Sequence, residues 1–273
     1  MKELYSYIRN GKDNIEGWFS RVDSQIFYEL LCYQNLNHID GGVAEIGMHH
    51  GKSFIALCLG LTGGQKAYGV DIFENQKKNL DRSGSGVRDI VENNLKTYGI
   101  DLAKVVIDPR GSDEVKTEDI YQAVGDVRFF SVDGGHWRDI VSNDLSLAAS
   151  VLAKDGVIAL DDFLRPEWPD VSAGFFEWFE KSDESVVPFA IGHNKLYLCH
   201  KQSVGRLQKI LIDSRFLKHF FNKYYMFCGN NIPIFQSYHL PEWSMRRRIY
   251  EYLKIHHPEF YVRFRSLKSR LRN

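Results

Sequence analysis

The 273-residue sequence is poor in cysteine: Cys32, Cys58, Cys199 and Cys228 stand far apart with no C-x-x-C pair, so neither a disulfide framework nor a thiolate zinc site is expected. It has no run approaching the roughly 18 apolar residues needed to span a bilayer. Met1-Lys2-Glu3-Leu4-Tyr5 lacks the apolar stretch of a secretory signal, so a cytoplasmic location is the expectation. The turns G-x-G-x-x-G and G-x-x-x-x-G-K-[ST] are both missing, which argues against a cradle for phosphates. Net charge is also missing, with 35 Lys and Arg against 35 Asp and Glu, but the zero hides an asymmetry. From Lys201 onward 15 basic residues face 4 acidic ones, a balance of +11 that offsets −11 over the first 200 residues.

What is present has the composition of an ordinary globular protein, 44% hydrophobic and 26% charged. Between Gly41 and Leu198 short β-branched runs alternate with longer amphipathic stretches, the pattern of a parallel sheet covered by helices on both faces. The expected strands are Val43–Ile46, Lys66–Val70, Lys104–Ile107, Val127–Val132, Gly156–Leu160, Val186–Ile191 and Lys195–Cys199. The last two flank the polar turn Gly192-His193-Asn194, which fits a hairpin that gives the sheet an antiparallel edge. Ahead of them, apolar residues at three- and four-residue spacing over Trp18 to Leu36 predict a packing helix.

After His200 the chain turns aromatic and basic. Phe216, Phe220, Phe221, Tyr224 and Tyr225 recur at helical spacing with Lys218 and Lys223 between them, so they are expected to form a helix face packed on the domain or on a second copy in a homodimer. The end, Arg263 to Arg272, is a candidate for peripheral contact with an anionic membrane, and no nucleic-acid partner is expected. Residues 1–200 are thus read as one domain and 201–273 as a basic, helical extension.

The richest chemistry begins at Gly42-Val43-Ala44-Glu45-Ile46-Gly47-Met48-His49-His50-Gly51-Lys52-Ser53, a buried strand, a glycine turn and a helix start. Gly47 and Gly51 let backbone pass close to a ligand, and Ser53 is expected to serve the helix N-terminus. Glu45 would repel a pyrophosphate but attract an ammonium group. Further on, Ala67-Tyr68-Gly69-Val70-Asp71 ends a strand in an acid able to take both hydroxyls of a ribose, or merely to be satisfied by loop amides.

This E-x-G-x-x-x-G-x-S turn, followed by a strand ending in Asp, resembles the first motifs of class I S-adenosylmethionine-dependent methyltransferases over about Trp18 to Cys199. The resemblance implies a Rossmann-like, doubly wound α/β fold whose seven-stranded, mostly parallel sheet ends in an antiparallel edge strand. It implies S-adenosylmethionine as cofactor, with Glu45, Gly47, Gly51 and Ser53 at the methionine part and Asp71 at the ribose. Gly111-Ser112-Asp113 resembles the segment against adenine, so Ser112 joins the set, with Asp108 nearby as an alternative.

Asp133 ends the strand Phe129-Phe130-Ser131-Val132, and Asp161-Asp162 end the strand Gly156-Val157-Ile158-Ala159-Leu160. Open α/β sheets place ligands at such carboxyl ends, and acids gathered there call for a hard cation such as Mg²⁺ or another divalent ion. The set Asp133, Asp161 and Asp162 resembles the metal ligands of catechol-type and antibiotic-sugar O-methyltransferases, with Asp133 also bordering the cofactor. In those families a lysine base three residues after the first ligand, or an aspartate base two residues after it, is present; here His136 and Gly135 stand at those positions, and His136 has a suitable intrinsic pKa for the catalytic base. Its alternative is a supporting histidine held by a carboxylate. Arg165, Glu167 and Trp168 are placed at the border of a small-molecule or saccharide acceptor, and no catalytic role is given to His49 or His50. The expected activity is O-methylation of a sugar or related natural product. A metal-free methyltransferase, a nicotinamide-dependent oxidoreductase and a non-enzymatic cofactor-binding or membrane-docking module are the alternatives.

Overall fold

The alternation of short apolar runs and amphipathic stretches becomes strands and helices nearly in the order expected. The computed structural model describes residues 1–236 except 76, 78 and 80–82. In chain order these form α1 (Lys2–Arg9), α2 (Arg21–Leu36), β1 (Gly42–Ile46), α3 (Lys52–Leu59), β2 (Ala67–Val70), α4 (Arg88–Thr97) and β3 (Val105–Asp108). There follow α5 (Thr117–Val124), β4 (Val127–Val132), α6 (Arg138–Ser150), β5 (Leu152–Leu160), α7 (Pro169–Lys181), β6 (Val186–Ile191) and β7 (Leu196–His200). The described chain closes with α8 (Val204–Asp213), β8 (Phe221–Phe227) and β9 (Asn230–Phe235). Helix α2 starts where Ser20 accepts the Asp23 amide at 2.9 Å, a side-chain cap on an otherwise unsatisfied donor.

One sheet runs β3-β2-β1-β4-β5-β7-β6-β9-β8. Its first five strands are parallel, and β7 is antiparallel to both β5 and β6. The strand order departs from β1 in both directions, so a crevice opens at the carboxyl ends of β1 and β4. All residues of β1 and β4 are buried, as strands covered on both faces must be. Successive residues serve opposite faces: Phe130 joins Leu145 of α6 and Phe175 of α7 in one core, while Phe129 meets Phe27 of α2 at 4.5 Å across the other. Burying a ring such as Phe27 contributes roughly 1.5–3 kcal/mol.

The stretch expected to be a helix after Phe216 is a β-hairpin instead. Cys228 and Gly229, both at positive φ (47° and 74°), make the two-residue turn that matches strand twist, and β8 and β9 pair antiparallel across it. Strand β9 then pairs parallel with β6, so the sheet has nine strands where seven were expected, and residues 230–235 share it with the first 200. The three- and four-residue spacing of the aromatics misled because Phe216 and Phe220 do stack one turn apart before the strand begins. Arg246-Arg247-Arg248 and the Arg263–Arg272 segment lie outside the described residues. Among the described residues no helix is long and apolar enough to cross a membrane.

Candidate active site

Five strand ends and one turn supply the site. Gly47 leaves β1 at φ +82°, its amide donating to Val70 at 2.8 Å, and a β-carbon there would lie 1.7 Å from the Asp133 carbonyl oxygen. The backbone it lets approach is therefore that of β4's end. Gly51, at φ +83°, is the residue that starts α3. Among the described residues no side chain caps that helix, so Ser53 does not have the capping role expected for it. It lies buried inside the first turn beside Glu45.

Glu45 is wholly buried, and neither carboxylate oxygen has a hydrogen-bond partner among the described residues. Burial pushes its pKa up to about 7, with Ser53, Lys195 and its strand neighbour Ser131 pulling the other way. Asp71 is held by loop amides, one of the two outcomes its position allowed. Its two oxygens accept the His49 and Phe73 amides, each at 2.7 Å, while burial raises its pKa. Asp108 is spoken for by Tyr68 and by a 2.6 Å ion pair with Arg110. Ser112, by contrast, lies buried beside Asp144 of α6, which sits beneath Gly134 with one oxygen unpartnered. Burial lifts the Asp144 pKa to about 7.

Ligand atoms of Asp133, His136 and Asp162 lie within 4.8 Å of one another. The His136 Nε2 atom is 3.1 Å from Asp162 Oδ2, and its ring stacks on Trp168 at 4.1 Å with planes 12° apart. Asp162 occupies the left-handed region at φ +54°, a conformation unusual for a non-glycine residue and one that turns its carboxylate out of the strand's alternation.

Asp161 goes elsewhere. It is buried and accepts from Asn194 Nδ2 at 2.7 Å, and its other oxygen is 2.7 Å from Lys195 Nζ. Burial would raise the Asp161 pKa, but the Lys195 ammonium and the hydrogen bonds outweigh it and hold the carboxyl below its usual range. Asp133, partly desolvated and facing the Asp161 charge, is raised. Burial lowers the pKa of Lys195, only 2% exposed, but Asp161 and Asp133 more than restore it, keeping it a cation. Asn194 also donates to Asp162 at 2.8 Å, and its backbone amide donates to Asp23 of α2 at 3.0 Å. Asp23 further accepts from the Tyr197 hydroxyl at 2.9 Å.

The fold brings Asp133, His136 and Asp162 together, and of the metal set expected from sequence, Asp133, Asp161 and Asp162, it draws Asp161 to Lys195. Lys195, Asn194, Asp23 and Asp144 were missed. The signal for Lys195 was a charge at the head of an otherwise apolar strand. Of the acceptor residues, Arg165 and Glu167 pair with each other at 3.2 Å on the surface, beside the Trp168 that covers His136.

Residues 44–163, from β1 through the pair that ends β5, match the family model described as "Methyltransferase domain". A solved structure titled as the O-methyltransferase NovP has a TM-score of 0.55 at 15% identity, covering 64% of this chain and 78% of that one. An O-methyltransferase from Bacillus cereus in complex with SAH has 0.48 at 15% identity, over 72% of this chain and 90% of that one. MycE, a methyltransferase of the mycinamycin biosynthetic pathway in complex with Mg and SAH, has 0.47 at 16% identity, over 72% and 53%. No curated protein matches the chain in sequence.

Proposed function

We propose that the chain, whose residues 44–163 match the methyltransferase domain model, is a class I, S-adenosylmethionine-dependent enzyme that moves the cofactor's methyl group to a hydroxyl oxygen of a sugar or related natural product. The observation that carries this reading is the placement of Asp133, His136 and Asp162 within 4.8 Å of one another, on the same sheet ends as the buried, unpaired Glu45.

On this reading Glu45 takes the ammonium of the methionine part, the one partner type its unpaired oxygens favour when ionised. Gly47 and Gly51 keep the turn close to the cofactor, and Ser53 lies beside Glu45 and favours its ionised form. Asp71, pinned by two amides, turns its remaining lone pairs to the ribose hydroxyls, and Ser112 borders adenine with Asp144 behind it. Asp133 lies between cofactor and acceptor.

The acceptor oxygen forms its bond to the methyl carbon as the carbon–sulfur bond breaks; that electron pair stays on sulfur and discharges the sulfonium. His136 accepts the hydroxyl proton, oriented by Asp162 and by the Trp168 ring. Asp133 and Asp162 fit a divalent cation, since Mg²⁺ is typically held by one or two carboxylates with water and substrate oxygens completing its shell. Such a cation would supply Lewis acidity that lowers the pKa of the acceptor hydroxyl. Trp168 with the Arg165–Glu167 pair offers an aromatic face and fixed polar groups, a rim suited to a polyhydroxylated acceptor.

Calorimetric titration of S-adenosylmethionine, and separately NAD, into chelator-treated protein tests the reading. Micromolar S-adenosylmethionine binding without an NAD signal is expected, plus a Mg²⁺ site that Asp162→Ala removes. Absence of S-adenosylmethionine binding would overturn it. The Lys195–Asp161 pair favours a second reading, methyl transfer without metal, in which activity survives a chelator.

A further inference from the structure

Three strand-end aspartates converge on the candidate active site, but only two of them face open space. Asp161 is 6% exposed, and one of its oxygens is held by Asn194 Nδ2 at 2.7 Å and by the Asp162 amide at 2.9 Å. The other lies 2.7 Å from the Lys195 ammonium, which is also 3.9 Å from Asp133 Oδ2. Lys195 reaches them from the head of β7, with the Phe27 ring 5.9 Å from its nitrogen, and it is among the most deeply buried charged groups of the described chain. A buried ammonium is compensated by carboxylates, and here three donors already occupy the two Asp161 oxygens.

Position in the strand points the same way. Successive residues of an extended strand face opposite sides, so Asp161 and Asp162 cannot both turn to one ion unless the backbone twists. Asp162 does leave the strand at φ +54° and meets His136, while Asp161 stays on the α2 side, the side of Lys195, Asp23 and Glu45. A divalent ion bridging Asp133 and Asp161 would have to share those oxygens with a positive charge already in place.

We infer that Lys195 is a resident counter-cation that withdraws Asp161 from metal coordination and thereby sets the divalent-cation affinity of the site. The inference rests on the proposed cation site at Asp133 and Asp162, and on no assumption about the acceptor. Lys195 is here a positioning residue, acting through Asp161.

The test is Mn²⁺ binding to the full chain, read by electron paramagnetic resonance and calorimetry, with S-adenosylhomocysteine binding measured separately on each variant. Lys195→Met frees Asp161 and removes the competing charge, so Mn²⁺ should bind at least about tenfold tighter than to wild type, and added Mn²⁺ should raise the variant's melting temperature. Lys195→Arg should bind Mn²⁺ as wild type does. No gain in Lys195→Met overturns the inference, whether or not wild type binds measurably. Should Lys195→Met not fold, the neutral pair Lys195→Met with Asp161→Asn decides. Mn²⁺ affinity within about threefold of wild type supports the withdrawal of Asp161. A loss as deep as that of Asp162→Asn makes Asp161 a ligand and overturns it. Normal S-adenosylhomocysteine binding alongside either result keeps a failure here distinct from a failure of the methyltransferase reading.

Discussion

Gly47 and Asp133 meet backbone to backbone: a β-carbon on Gly47 would stand 1.7 Å from the Asp133 carbonyl oxygen, at a φ of +82° that few side chains tolerate. The turn between β1 and α3 and the end of β4 are therefore fitted to each other. Gly47→Ala must push the two strand ends apart. We expect a loss of at least about 2–3 kcal/mol in urea denaturation, with S-adenosylmethionine binding abolished.

Glu45 carries a pH prediction. Its folded-state pKa, lifted by burial from an ordinary 4.5 to about 7, means that the folded chain prefers the protonated acid. Below pH 4.5 both states are protonated and the shift costs nothing. As pH rises from 4.5 to 7 the unfolded chain ionises first and stability falls, by up to about 3 kcal/mol above pH 7. Glu45→Gln should accordingly be more stable than wild type at pH 8 and equal to it at pH 4. In wild type, S-adenosylmethionine affinity should rise between pH 6 and 8, as ionised Glu45 becomes available to the ammonium, and Glu45→Gln should bind weakly at every pH. Calorimetry across that range checks both.

Asp71→Asn leaves one of two amides, from His49 or Phe73, facing an NH₂ group instead of an oxygen. An orphaned buried donor costs about 1–3 kcal/mol. The cofactor should bind at least about tenfold more weakly, and the loop that follows β2 should gain hydrogen exchange.

His136→Ala should lower kcat by about 10²–10⁴-fold while the Kd for S-adenosylmethionine stays within a factor of two. A comparable rise in KM at unchanged kcat would instead make His136 an acceptor contact. EDTA should reduce kcat at least about tenfold, reversibly with Mg²⁺, if the site uses its cation.

Much of this was legible in the sequence because apolar runs and strand-end acids are local signals. Val127–Val132 and Val186–Ile191 became strands with the bounds expected, and Asp71, Asp133 and Asp162 end strands where the runs stop. What was not legible depends on distant partners or on backbone sign. Lys195 reads as one more charge until β7 is laid against β5, which sets Leu196 opposite Leu160 and so brings Lys195 beside Asp161. The hairpin of β8 and β9 was announced by Cys228-Gly229-Asn230, but the louder aromatic spacing masked it. The two-residue period that separates Asp161 from Asp162 was readable and went unused. Asp144 gave no signal, because a mid-helix acid is ordinarily a solvated one.

The grip of α2 on the active-site turn has a kinetic side. Asn194 and Tyr197 both bind Asp23, 171 and 174 positions earlier, so the turn that holds Asp161 and Asp162 in place is anchored to an early helix across most of the described chain. Contacts of such sequence separation demand a large loop closure before they repay it, so we expect them to form late. A nascent chain can therefore complete the turn near Gly47 before Asp161 and Asp162 are anchored through Asn194. On the proposed function, S-adenosylmethionine binding should return before methyl transfer when the chain is refolded, and stopped-flow refolding with both readouts checks it.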